Sequence, residues 1–102
     1  MISERDKIKS LSDIGICLQT LIKSRYKKNV RPIYTSGGRY RSVYISFYKS
    51  PHVFQFYVED RHNQFFICLL KNEKIIRKDV IRYNEPIEYF YKRVSYFFGL
   101  IN

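Results

Sequence analysis

Arg39-Tyr40-Arg41-Ser42-Val43-Tyr44-Ile45-Ser46-Phe47-Tyr48, followed by Lys49-Ser50-Pro51-His52 and then Val53-Phe54-Gln55-Phe56-Tyr57-Val58-Glu59, is the stretch that decides the fold. Its first part alternates with period two, as side chains do on a pleated strand. Val43, Ile45 and Phe47 fall on one side, and Tyr40, Ser42, Tyr44, Ser46 and Tyr48 on the other. Lys49 to His52 reads as a turn around its proline. The alternation then resumes from Val53 to Glu59. Pairing Tyr48 with Val53 sets Phe47 against Phe54, Ile45 against Phe56, Val43 against Val58 and Tyr44 against Tyr57. The whole apolar set then lies on one face, which supports this register, because a slip of one residue would move it apart.

The same reasoning extends outward. Asp60-Arg61-His62-Asn63 is a second turn, after which Phe65, Ile67 and Leu69 join the core side. Phe66, Cys68 and Leu70 are apolar too, and a strand apolar on both faces predicts cover on both. Lys71-Asn72-Glu73-Lys74 is a third turn, and Ile75 to Ile81 a further strand whose register the pattern does not define. Upstream, Val30 to Thr35 reads as a short edge strand tolerant of Pro32, and Ser36-Gly37-Gly38 as a turn. Ile8, Leu11, Ile14, Leu18, Leu21 and Ile22 share one face of a helix expected over residues 4–26. Ser3 with Asp6 forms a candidate capping box, and Ser10 and Ser12 are later candidate starts. Ile87, Phe90, Tyr91, Val94, Phe97, Phe98 and Ile101 define a second amphipathic helix, with Pro86 near its first turn. The predicted fold class is α+β: an antiparallel sheet of four to five strands flanked by an N-terminal and a C-terminal amphipathic helix.

With 102 residues and an apolar share of 45%, the chain is sized for one domain, residues 1–102, around one modest core. No apolar run approaches the roughly 20 residues that span a bilayer. The polar start Met1-Ile2-Ser3-Glu4-Arg5-Asp6-Lys7 lacks the apolar stretch of a signal peptide, so a cytoplasmic location is expected, in a host if the protein is viral. Cys17 and Cys68 are two lone cysteines inside apolar segments. They make neither a disulfide framework nor a zinc site, and read as small buried apolar residues.

The formal net charge is +10. Its distribution is more informative than its size. Between Asp13 and Glu59 there is no acidic residue, while the interval carries Lys23, Arg25, Lys27, Lys28, Arg31, Arg39, Arg41 and Lys49. A field of one sign attracts phosphate backbones or anionic membrane surfaces, and an acidic groove on a partner protein would explain the charge as well. Part of the cluster also suits the negative end of the first helix. The lack of Ala and Trp and the wealth of Ile, Lys, Tyr and Phe match AT-rich coding, but that bias does not remove Asp and Glu.

No catalytic, phosphate-cradling or dinucleotide motif is present, and neither a metal nor another cofactor is expected. His52 and His62 are the candidates for acid–base cleavage of RNA, beside Lys49 and Arg61 respectively. The stronger constellation is Tyr40, Tyr44, Tyr48 and Tyr57 on one strand face, flanked by Arg39, Arg41 and Lys49. Strand aromatics offer planes to unpaired bases while nearby cations hold phosphates. The competing reading packs these tyrosines beneath the N-terminal helix. The function expected is that of a small basic protein binding single-stranded DNA or RNA. Its phosphate contacts would be Lys23, Arg25, Lys27, Lys28, Arg31, Arg39, Arg41 and Lys49, with the four tyrosines as stacking planes. The alternatives are a phage or mobile-element protein that inhibits or recruits a host protein, and a small ribonuclease toxin. A homodimer is compatible with all three.

Overall fold

The computed structural model describes residues 6–101. In chain order the elements are β1 (Lys7–Ile8), α1 (Leu11–Tyr26), β2 (Ile33–Thr35), β3 (Ser42–Lys49), β4 (His52–Arg61), β5 (Gln64–Lys71), β6 (Lys74–Arg82), β7 (Glu85–Pro86) and α2 (Ile87–Gly99). Strands β2 to β6 form one five-stranded antiparallel sheet in simple sequential order, and β1 pairs with β7 in a separate ribbon. The fold is therefore α+β, with its two helices at the N-terminal and C-terminal sides of an antiparallel sheet.

The β3–β4 hairpin has the register that alternation requires: Phe47 opposes Phe54, Ile45 opposes Phe56, Val43 opposes Val58 and Tyr44 opposes Tyr57. Pairing continues to Lys49 and His52, so the loop is only Ser50-Pro51, whose peptide bond is cis. The β5–β6 loop is Asn72-Glu73, with φ of 51° and 70°. Positive φ at both central positions suits the right-handed twist of a two-residue hairpin. The Asn72 side chain ties this loop to β4, its Oδ1 accepting from the Val53 N–H at 3.0 Å. The register of β6, undefined by sequence pattern, is displaced by an irregularity at Leu69/Leu70. Leu69 opposes Arg77 but Leu70 opposes Ile75, which leaves Ile76 as the extra residue of a bulge.

The first helix is shorter than its periodicity suggests. It begins at Leu11, and Ser10, one of the later candidates, is its cap. The Asp13 N–H donates to Ser10 Oγ at 3.2 Å and the Ser10 N–H to Asp13 Oδ2 at 3.1 Å, a reciprocal box that satisfies two end groups. Lys7 and Ile8, expected to be helical, are instead paired with Pro86 and Glu85. Ser3 and the first residues of the expected helix lie outside the described residues. Lys27 ends α1 in the left-handed region at φ 58°, its N–H donating to the Lys23 carbonyl at 2.9 Å.

Both helices pack on the same face of the sheet. Ile14, Leu18 and Ile22 of α1 and Phe90, Val94, Phe97 and Phe98 of α2 join Val43, Ile45, Phe47, Phe54, Phe56, Val58, Ile67 and Leu69 in one buried cluster. Phe56 is wholly buried, its ring 6.0 Å from that of Phe97 and 5.3 Å from that of Phe98. Full burial of one such ring contributes about 1.5–3 kcal/mol. Gly15 lets β2 close on α1, since an added Cβ there would overlap the Tyr34 hydroxyl and sit 3.1 Å from Pro32 Cβ. At the other side of the sheet Arg93 of α2 donates through Nε to the buried Glu85 at 2.9 Å and lies 3.5 Å from Asp79. That arginine thereby joins α2 to β7 and β6.

The opposite face of the sheet carries no helix among the described residues. This corrects two expectations. Phe66, Cys68 and Leu70 are not covered from above but only half-buried by their neighbours in the sheet, and the tyrosines of β3 do not lie beneath α1.

Candidate nucleic-acid interface

The open face follows from strand alternation alone. Tyr44, Ser46 and Tyr48 of β3 point away from the core because Val43, Ile45 and Phe47 point into it. The register of β4 and β5 then places Gln55, Tyr57, Glu59, Phe66, Cys68 and Leu70 on that face as well. Tyr44 and Tyr57 stand directly opposite each other and are half-buried at its centre. Tyr48, 54% exposed, stands near one end.

At the other end the rings are held by arginine. The Arg61 guanidinium lies 4.4 Å from the centre of the Phe66 ring and 4.9 Å from that of Tyr40, and Arg39 lies 5.6 Å from the same Tyr40 ring. Such contacts are favoured by the electron-rich ring face. Arg61 is positioned by Glu59, whose Oε1 accepts from Arg61 Nε at 2.8 Å, while Tyr57 Oη donates to Glu59 Oε2 at 2.8 Å. Burial pushes the Glu59 carboxyl up, but the hydrogen bonds from Arg61 and Tyr57 outweigh it and leave the group below its ordinary value. Burial raises the Tyr57 phenol, and the adjoining Glu59 carboxylate raises it further. Tyr40, Arg61, Phe66, Glu59, Tyr57 and Tyr44 thus make a connected row of planes and charges.

The face has two halves. The β3–β4 half presents Tyr44, Tyr48, Tyr57, Ser46 and Gln55, flat rings among wettable groups. The β5–β6 half presents Leu70, Cys68, Val80 and the exposed Ile75, with Lys78 opposite Cys68. Cys68 is half-buried here rather than in the core, and desolvation by burial raises its thiol, partly offset by Lys78. Cys17 is buried in α1, as expected.

The basic residues read from the sequence do not gather on this face. Arg39 alone among them touches the tyrosine row. Arg41 shares the orientation of Val43 and pairs with Asp60 at 3.4 Å. Lys49 lies over the Tyr26 ring at 5.9 Å, and Arg25 over Phe98 at 4.8 Å, both on the helix side. Lys23, Lys27, Lys28 and Arg31 cluster around the C-terminal end of α1 and the loop after it. Conversely, Arg61, Phe66 and Lys78 belong to the open face and were not singled out as site residues. Arg61 and Phe66 were legible from the hairpin register, since both align with Tyr57. Lys78 was not, because the bulge hides the phase of β6.

His52 and His62 sit at opposite ends of the ten-residue β4, about 30 Å apart at strand rise, so they do not act on one phosphodiester. A His52 ring nitrogen is 2.9 Å from the Asn72 amide nitrogen, and His62 is exposed in a loop at φ 61°. Among the described residues no group of three His, Cys, Asp or Glu side chains is placed to hold a metal ion, and no helix is long and apolar enough to cross a membrane. No protein-family model, curated protein or solved structure matches this chain.

Proposed function

We propose that this chain binds single-stranded DNA or RNA, with bases laid on the open face of the sheet and phosphates held by cations at its rim. The observation that carries the reading is the helix-free row Tyr40, Tyr44, Tyr57 and Phe66, held in place by Arg61. Unpaired bases stack on such planes with little regard to sequence, each contributing about 1–3 kcal/mol. A duplex already satisfies its own stacking and offers the sheet no free base plane. The net charge of +10 supplies long-range attraction to a polyanion. The free thiols Cys17 and Cys68 fit a reducing cytoplasm.

The direct test is titration of the protein with oligothymidylate, oligouridylate and a matched duplex, followed by tyrosine fluorescence. Single strands should bind more tightly than duplex and quench the emission, with affinity falling steeply as salt rises. Equal affinity for duplex and single strand, without quenching, would remove the stacking platform. A second reading is favoured by the aliphatic half of the face, where Leu70, Val80 and Ile75 offer hydrocarbon rather than ring planes. It makes the face a dock for a host protein, as in a phage or mobile-element interaction protein. Recovery of the same protein from cells with and without nuclease treatment would favour that reading. Cleavage of the oligonucleotide would point to the ribonuclease.

A further inference from the structure

Three arginines elsewhere in the molecule have carboxylate partners: Arg41 has Asp60, Arg61 has Glu59, and Arg93 has Asp79 and Glu85. The end of α1 differs. Lys27 turns the chain through the left-handed region, and the following loop folds back along the helix, where Gln19 Nε2 donates to the Val30 carbonyl at 2.8 Å. The result is a concavity of about 350 Å³ lined by Lys23, Lys28, Arg31, Thr20 and Asn29 together with Gln19 and Val30. No carboxylate lines it, and none of its three cations is ion-paired among the described residues. The negative end of the helix accounts for cations in its last turn, which Lys23 and Arg25 already supply. Lys28 and Arg31 lie beyond that turn, and the helix end does not require them.

The concavity also adjoins the edge of the open face. Arg31 is two residues before Ile33, and Ile33 opposes Tyr44 on the edge strand β2, so its side chain shares the tyrosine face. Pro32 and Tyr34 turn the other way, onto Gly15 of α1. The chain thus carries the basic concavity to the β2 edge of the open face: Arg31 lines the one, and Ile33, two residues on, belongs to the other.

We propose that this concavity seats the phosphate backbone of the same single strand, which crosses the β2 edge from the base platform to the end of α1. The inference rests on the stacking reading above and adds to it a path and a polarity of roles. Rings on the open face take bases, and the Lys23, Lys28 and Arg31 pocket takes phosphates.

The experiment compares the wild-type chain with Lys28→Gln/Arg31→Gln, which leaves the helix-end cations in place. The control is Lys74→Gln/Lys92→Gln, which removes the same charge from exposed positions outside the pocket lining. Each is titrated with oligothymidylate over a salt series, after thermal melts establish that all three fold. Two lost phosphate contacts should lower the slope of log affinity against log salt by about 1.4, at about 0.7 per contact for a single strand. The control should change it far less, and the tyrosine quenching at saturation should be the same in all three. Equal slopes in the pocket and control variants would overturn the pocket while leaving the platform standing. A wild-type chain that binds no oligothymidylate even at low salt would overturn the platform, and the pocket proposal with it.

Discussion

The two faces of the sheet are made by the same strands under the same alternation, and they differ in what they can leave exposed. The covered face is Val43, Ile45, Phe47, Phe54, Phe56 and Val58, with no polar atom in any side chain. Two helices close over it, and Phe56 is 0% exposed. The open face of those strands includes Tyr44, Ser46, Tyr48, Gln55, Tyr57 and Glu59, all with a polar group, beside the one exposed aliphatic Val53. Tyr48 there remains 54% exposed. A ring with a polar tip can meet water at one end while leaving its plane open, whereas a phenylalanine ring has no such tip to hydrate. One face is thus sealed and the other left open.

The most severe way to break this comparison is to empty the sealed side. Phe56→Ala removes a ring packed between β4 and α2 and is expected to cost about 3–5 kcal/mol. A urea melt of the variant checks it, and a loss below about 1 kcal/mol would mean that the two faces do not differ as burial implies. The same truncation on the open side should act on binding instead. Tyr44→Ala should weaken oligothymidylate binding by about 1–3 kcal/mol with little change in stability, and Tyr44→Phe should bind almost normally, because the ring supplies the plane. Destabilisation of Tyr44→Ala with unaltered affinity in the folded fraction would show the ring to be structural.

Smaller effects sharpen the contrast. Ser10→Ala loosens the cover by breaking the capping box of α1, at about 1 kcal/mol. Its melting temperature should fall while oligonucleotide affinity, read below the transition, stays level. Glu59 offers the finest test, at the rim of the open face. Its folded-state value is depressed, so its contribution is present above the ordinary carboxylate range and is lost as pH falls through the lowered value. Glu59→Gln should therefore cost up to about 1 kcal/mol near pH 7, the scale of a solvent-reached pair. The gap to wild type should close as melts are taken below the ordinary carboxylate range and protonation removes the charge from the native carboxylate. A gap that persists at low pH would assign the effect to packing rather than charge.

How much of this was legible depended on whether a residue's neighbours were local. The β3–β4 register followed from six apolar residues that this pairing gathers on one face across a short turn, and the α2 stripe from a clean helical period. The start of α1 misled because Ile8 falls three residues before Leu11 and so extends the helical stripe. It is nonetheless buried as a strand residue, paired with Glu85 at the far end of the chain. The phase of β6 was hidden by one extra residue, Ile76. Of the candidate site, the tyrosine row was legible from alternation. So was the departure of Arg41 and Lys49 from it, since both share the parity of Val43 and Phe47.

By itself the sequence determined the two compositions of the sheet, the order of its strands and the acid-free basic stretch, because alternation, turn residues and charge act between near neighbours. Only the tertiary structure decided that both helices would cover the same face. The apolar β5 residues Phe66, Cys68 and Leu70 argued for cover on both sides. Yet the apolar residues of one face, Val43, Ile45, Phe47, Phe54, Phe56 and Val58, took the stripes of both α1 and α2 into a single cluster. The tertiary structure also divided a basic run that is continuous in sequence. The fold brings Lys28 and Arg31 back against Lys23, apart from Arg41 and Lys49, whose side strand alternation already gave. The reason is that a strand sends alternate side chains to opposite faces, while a helix end and its return loop bring theirs together.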